Sequence, residues 1–187
     1  LWFKADGDSG QTDVIFSKFE DTSNQIFIKL NTDNKIVCAA IGGGETVIHH
    51  AGSTEIDALA GTWINVIFVS DRNGDSKFYV NKSTGTYGRS VTSGATTQNL
   101  DSTGIMMIGQ RDNLASSNQY FPGKVDEVAI WQHADLSDFD DLAAAAIYND
   151  GKPFDLRHDR GNYDAFTGKL VGYWRMGNGA FDDKAGG

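Results

Sequence analysis

A series of short apolar, β-branched runs, each closed off by glycine, asparagine or aspartate, limits what this chain can fold into. The runs are Leu1–Lys4, Val14–Phe19, Ile26–Leu30, Ile36–Ile41, Thr46–His49, Trp63–Ser70, Lys77–Asn81, Gly88–Thr92, Ile105–Gly109 and Gly123–Trp131. Between them lie turn-forming clusters such as Asp6-Gly7-Asp8-Ser9-Gly10, Asp33-Asn34, Gly42-Gly43-Gly44 and Asn73-Gly74-Asp75. Many short strands with this punctuation predict a mainly β protein, an antiparallel β-sandwich or jelly roll. Alternation is clean in Gln25–Leu30, where Ile26, Ile28 and Leu30 share one face. It is blurred in Ile64–Val69, which reads as a central strand covered on both sides.

One block departs from this pattern. Phe121 to Ala146 reads as a buried strand, a turn and one short α-helix. Val125, Val128, Ile130 and Trp131 give the strand its apolar weight, and Gly123 permits a tight bend before it. Ser137 is expected at the helix N-cap, with Asp138, Asp140 and Asp141 near the positive end of the helix dipole. Phe139, Leu142, Ala143, Ala146 and Ile147 recur at helical spacing as one apolar stripe. Gly151 and Pro153 are expected to stop the helix.

This block resembles the laminin G-like, concanavalin A-like family, in which a strand G-x-[IV]-D-E-V-x-[IV]-W precedes a Leu-Ser pair and a short helix. The matching residues are Gly123, Val125, Asp126, Glu127, Val128, Ile130, Trp131, Leu136 and Ser137. His133, Ala134 and Asp135 stand where many members carry Arg-Ala. Weaker echoes are Leu1–Lys4, Trp63–Ser70, Phe78–Asn81 and Ile105–Gly109. The resemblance implies a concanavalin A-like jelly roll; function does not follow from it, because one fold hosts many functions.

At 187 residues the chain suits one sandwich domain with an ample core. Residues 1–154 are expected to form the jelly roll, its first strand present or missing. Residues 155–169 have the composition of a connector. Residues 170–187, with Leu170-Val171-Gly172-Tyr173-Trp174-Arg175-Met176, are either a closing strand or, the favoured reading, the start of a second module. A formal net charge of −9 without Lys/Arg clusters argues against nucleic acid and anionic membrane surfaces as partners. No run reaches the roughly 20 apolar residues of a membrane span. The single cysteine, Cys38, is expected as a small buried hydrophobe. Because Leu1 is not an initiator and the chain starts inside a strand pattern, it is expected to be a piece of a longer protein, monomeric or oligomeric. The resemblance implies a place on a cell exterior or virion surface.

Candidate chemistry is sparse. Glucanases with this sandwich carry E-x-D-x-x-E on one strand; the nearest trace is Glu55-Ile56-Asp57, with Ala60 in the third acidic position. Asp126 and Glu127 are adjacent, so a regular strand points them to opposite faces. Asp126 is expected to be structural, its carboxylate tied to backbone amides. Asp71-Asn73-Asp75 starts like a calcium loop, but Ser76 and Lys82 stand where Gly and Glu are needed, which favours an Asn73-Gly74 hairpin. Asp6, Asp8 and Asp13 form another acidic cluster, and the resemblance implies calcium at such a loop tip. His49 and His50 are adjacent on a strand and ill placed for joint chelation. Sugar binding needs an aromatic platform with amide and charged partners for hydroxyls. Arg111, Asp112, Asn118 and Tyr120 offer that mixture, with Tyr87-Gly88-Arg89 as a second loop. Trp2, Trp63 and Trp131 are expected in the core. The expected function is non-catalytic recognition of glycans. The alternative is a structural virion module contacting neighbouring protein subunits, which the wording of Leu170 to Gly179 suggests by its likeness to modules of bacteriophage virions. A glycoside hydrolase is the least favoured reading.

Overall fold

The computed structural model describes residues 1–7, 9–42, 45–50, 61–70, 76–81, 90–92, 103–111, 119–132, 139–164 and 169–177. The strands come where the apolar runs place them. They are β1 (Trp2–Ala5), β2 (Asp13–Asp21), β3 (Asn24–Leu30), β4 (Ile36–Gly42), β5 (Glu45–His50), β6 (Ile64–Val69), β7 (Ser76–Val80), β8 (Ser90–Thr92), β9 (Ile105–Ile108), β10 (Gly123–Asp126), β11 (Val128–Trp131) and β12 (Leu170–Trp174). One α-helix, α1 (Asp141–Tyr148), follows β11. Two five-stranded antiparallel sheets result: sheet I in the order β10-β1-β6-β7-β8, and sheet II in the order β5-β4-β3-β2-β9. β11 and β12 form a separate antiparallel pair.

The inner faces close on each other. Phe3, Ile64, Val66, Phe78 and Val80 of sheet I meet Ile15, Phe16, Ile28, Leu30, Ile36 and Cys38 of sheet II in one core. Alternation does this: Ile28 and Leu30 point inward while Phe27 and Lys29, one residue out of step, point outward. Cys38 is fully buried there, and burial pushes its thiol pKa up, as befits an inert hydrophobe. β6 is covered on both sides, as its unbroken apolar run implied. Ile67, Val69 and Tyr79 pack outward against Ala144 and Ile147 of α1 and against Leu156 and Tyr163. The molecule therefore has three layers over β6.

Several expectations give way. The run Gly123–Trp131 is two strands, because Glu127 takes a left-handed backbone (φ 49°) and turns the chain out of sheet I. Gly123 is not a bend but a contact: a Cβ there would lie 2.2 Å from the Lys4 carbonyl oxygen across the β1–β10 pair. Ser137 lies outside the described residues, and the N-cap is Asp140, whose Oδ1 accepts from Ala143 N at 2.8 Å. Lys77 Nζ donates to the Phe139 carbonyl at 2.8 Å and holds the approach to that cap. The helix buries Ala143, Ala144 and Ile147, while Leu142 is 58% exposed. Asn149, in left-handed conformation, ends it before Gly151 is reached.

Residues beyond α1 are part of the packing. Leu156 and Tyr163, in the stretch whose composition reads as a connector, are buried. The Tyr163 hydroxyl donates to the Leu156 carbonyl at 2.7 Å and accepts from Trp131 Nε1 at 3.2 Å. Trp131 is thus half-buried under this stretch rather than sealed between the sheets. Residues Leu170–Trp174 pair with β11, Val128 opposite Trp174 and Ala129 opposite Tyr173.

Candidate functional site

Two places carry enough polar chemistry to be considered. The first is the turn at Asp126-Glu127. Asp126 Oδ1 accepts from the backbone N of Glu127 at 2.8 Å and of Met176 at 3.1 Å, the structural role expected of it. Glu127, which is buried, accepts from Arg175 Nε at 3.0 Å and from the Tyr173 hydroxyl. Burial, reinforced by that carboxylate, pushes the Tyr173 phenol well above its ordinary value. The bond to Glu127 likewise raises Arg175. Arg175 reaches on to Asp155 at 3.7 Å, and Asp155 is gripped by Arg157 through Nε at 2.9 Å and Nη2 at 2.6 Å. That grip holds the Asp155 carboxyl well below the usual carboxylate range. Every carboxylate in this chain of contacts is already engaged, so it clamps β12 onto the turn and offers no idle acid or base.

The second place is the outer face of sheet II. Register sets its rows: Ser17 lies between Met107 and Phe27, Phe27 is opposite Ala39, and Phe19 is opposite Gln25 and Ile105. Phe27, Val37 and Ala39 form a small buried cluster there with Ile41 against them. An outward sheet face is normally polar and wet, so this one is unusual. Two cations lie on it. Lys29 Nζ sits 4.7 Å from the Phe27 ring centroid, and the Arg111 guanidinium 4.0 Å from the Phe19 ring centroid. Burial lowers the pKa of both, and the neighbouring Arg111 charge lowers Lys29 further. Among the described residues neither has a carboxylate partner.

Arg111 is brought there by its loop. Gly109 N donates to the Ile15 carbonyl at 2.8 Å and Phe121 N to the Gly109 carbonyl at 2.9 Å. Those bonds close a stem from which Arg111 and Gln119 each lie two residues inward. Two polar atoms of this face are buried with no hydrogen-bond partner, Gln25 Oε1 and Arg111 Nε, and so is Gln119 Oε1 beside the stem. Gln25 is only 7% exposed and spends its amide nitrogen on the Thr22 carbonyl at 3.0 Å. Orphaned buried acceptors and donors are uncommon and call for a partner.

Of the sugar-site residues expected from sequence, Arg111 is at this face and Tyr120 is exposed at the end of the same loop. Asp112 and Asn118 lie outside the described residues, as do Tyr87–Arg89 and the Glu55–Asp57 pair. Lys29 and Gln25, which share this face with Arg111, are not among the residues expected from sequence. The signal was present: the alternation that points Ile26, Ile28 and Leu30 inward points Gln25, Phe27 and Lys29 to the other face. Trp63, expected in the core, is 39% exposed at the edge of β6 with Lys4 Nζ 5.8 Å from its ring centroid. Trp174 is exposed too, its ring folded over Gly172.

The acidic cluster Asp6, Asp8 and Asp13 is described only in part. Asp13 is buried and accepts from the Ser9 hydroxyl at 2.7 Å, Asp6 is exposed, and Asp8 lies outside the described residues. Among the described residues no three His, Cys, Asp or Glu side chains are grouped to hold a metal ion. A cavity of about 670 Å³ lies between the layers, lined by Phe16, Ile28, Val66, Phe68 and Ile130, with Met106 and Val171 among the residues around it. Its wall is mainly apolar, with Lys18, Asn65 and Lys169 among its polar residues, and its carboxylate, Glu127, is already paired.

This architecture is that of a lectin-type sandwich, and sequence comparison agrees. The chain belongs to the concanavalin A-like lectin/glucanase superfamily: the laminin G-type family model matches residues 1–138. No curated protein sequence matches it. Similar solved structures include the CBM40 module of a Ruminococcus gnavus IT-sialidase bound to α2,6-sialyllactose. It is 11% identical with a TM-score of 0.50, over 65% of this chain and 68% of that one. Domains LG4-5 of the mouse laminin α1 chain are also similar: 15% identical, TM-score 0.46, over 66% of this chain and 31% of that one.

Proposed function

We propose that this chain is a non-catalytic glycan-recognition module and that it binds on the outer face of sheet II. The observation that carries this reading is the group of Arg111 over Phe19, Lys29 over Phe27 and Gln25 opposite Phe19: two cations and an amide with unspent hydrogen-bonding capacity on an apolar bed. A saccharide needs that combination, apolar surface for its C–H faces and polar atoms for its hydroxyls. The fold supports it, since the superfamily includes lectins, and a structurally similar sialidase module is bound to sialyllactose. Absence of catalysis is part of the proposal, because the buried acid Glu127 is committed to Arg175 and Tyr173. Such a module would work on a cell exterior or virion surface.

A glycan array probed with the chain, with and without added calcium, tests the proposal. Saturable binding that weakens on Tyr120→Ala or Arg111→Gln is expected. A blank array under both conditions removes it. The calcium arm also decides whether the Asp6, Asp8 and Asp13 loop takes part. A second reading, contact with neighbouring protein chains, is favoured by the exposed apolar side chains Ile105 and Met106 on β9 and Val171, Trp174 and Met176 on or beside β12. Concentration-dependent self-association in sedimentation experiments, abolished by Val171→Lys, would support that reading instead.

A further inference from the structure

Resting on that reading, we infer that the saccharide is acidic, with its carboxylate held between Arg111 and Lys29. The chain is acidic overall, at −9, yet these two cations share one face. Acidic residues elsewhere are spent freely on arginines, as Asp155 is on Arg157 and Glu127 on Arg175. At this face the cations rest instead on the rings of Phe19 and Phe27. Bringing two like charges together on a half-buried surface is unfavourable unless an anion arrives. The depressed pKa of Lys29, to which Arg111 contributes, records that cost.

The geometry suits a carboxylate better than a diffuse negative charge. Arg111 Nε is buried and lacks an acceptor, which a carboxylate oxygen would supply. The planar guanidinium fork matches two such oxygens, and Lys29 adds a point charge beside it. Gln25 Oε1, opposite Phe19 on the same face, is an acceptor only, so it complements a hydroxyl donor on the same sugar. A neutral sugar would satisfy the amide and leave the cations unanswered.

Titration of the intact chain with sialyllactose and with a galacturonate trisaccharide, each against its neutral counterpart, tests the inference. At low ionic strength at least one acid form should bind about tenfold or more tightly than its neutral counterpart, the scale of a charge-assisted hydrogen bond. The preference should shrink as salt rises. Arg111→Gln and Lys29→Gln should each erase most of the preference, the acid form losing far more affinity than its neutral counterpart. Equal melting temperatures for variant and parent show that the fold is kept, and either variant alone suffices if the other unfolds. If neutral glycans bind and the acids gain nothing, the acidic specificity is overturned while the glycan-binding reading survives. An acid preference that persists unchanged in both variants overturns it equally. If no glycan of either kind binds, both fall.

Discussion

The turn at Glu127 and the outer face of sheet II handle charge in opposite ways. At the turn, Glu127, Arg175, Asp155 and Arg157 are knitted into one set of ion pairs, with Tyr173 attached. At the sheet face, Arg111 and Lys29 lie over phenylalanine rings, with no carboxylate opposite among the described residues. A charge whose needs are met inside the molecule serves the fold. A charge held half-buried beside another of the same sign is open to something from outside. Burial alone does not separate the two cases; the partner does.

The largest effect that sharpens this contrast is on the turn. Glu127→Ala removes the buried acceptor that Arg175 and Tyr173 share, leaving them only the longer contacts to Asp155 and the Phe154 carbonyl, and should destabilise the chain by about 3 kcal/mol, read from its urea midpoint. An Ala variant as stable as the parent would break the assignment of this network to the fold. Next is Gly123→Ala. Its Cβ would collide with the Lys4 carbonyl, so β1 and β10 must separate, at a cost of about 2 kcal/mol in the same assay.

Asp155 gives a pH signature. Its folded-state pKa is depressed, chiefly by the hydrogen bond from Arg157, so its contribution is present above the unfolded carboxylate value of about 3.9 and is lost as pH falls toward the folded one. Asp155→Asn should therefore cost about 1 kcal/mol near neutral pH and nothing in strong acid, so parent and variant stability curves converge as pH drops. Curves that stay parallel down to low pH would refute the pairing. The smallest effect belongs to the sheet face. Arg111→Gln should change stability by no more than about 0.5–1 kcal/mol, the scale of an exposed cation–π contact, while still impairing glycan binding. A large loss of stability there would make Arg111 a structural residue and erase the contrast.

Local pattern made much of this legible. Strand runs of period two, and turn residues between them, placed β2, β3, β4, β6 and β7 to within a few residues, since alternation is a property of neighbours in sequence. The Asp126-Glu127 pair was visible as a family mark, and backbone bonding of Asp126 was anticipated. Its neighbour's role was not, because it depends on Arg175 and on a left-handed backbone that no propensity assigns to glutamate. The N-cap slipped from Ser137 to Asp140 because serine and aspartate compete for the same post on nearly equal terms. Trp63 was assigned to the core by its apolar neighbours, yet it stands where β6 begins at the sheet rim.

Sequence by itself determined the class of fold, the helix after β11 and the family, because each rests on patterns a few residues long. Only the tertiary structure decided which charges meet. It set Arg175 on Glu127, and it laid Arg111 across Phe19 beside Lys29, on a face that alternation could mark as outward but not as a site. Ion pairs and binding surfaces join residues far apart in the chain, and nothing in local propensity encodes who arrives opposite whom.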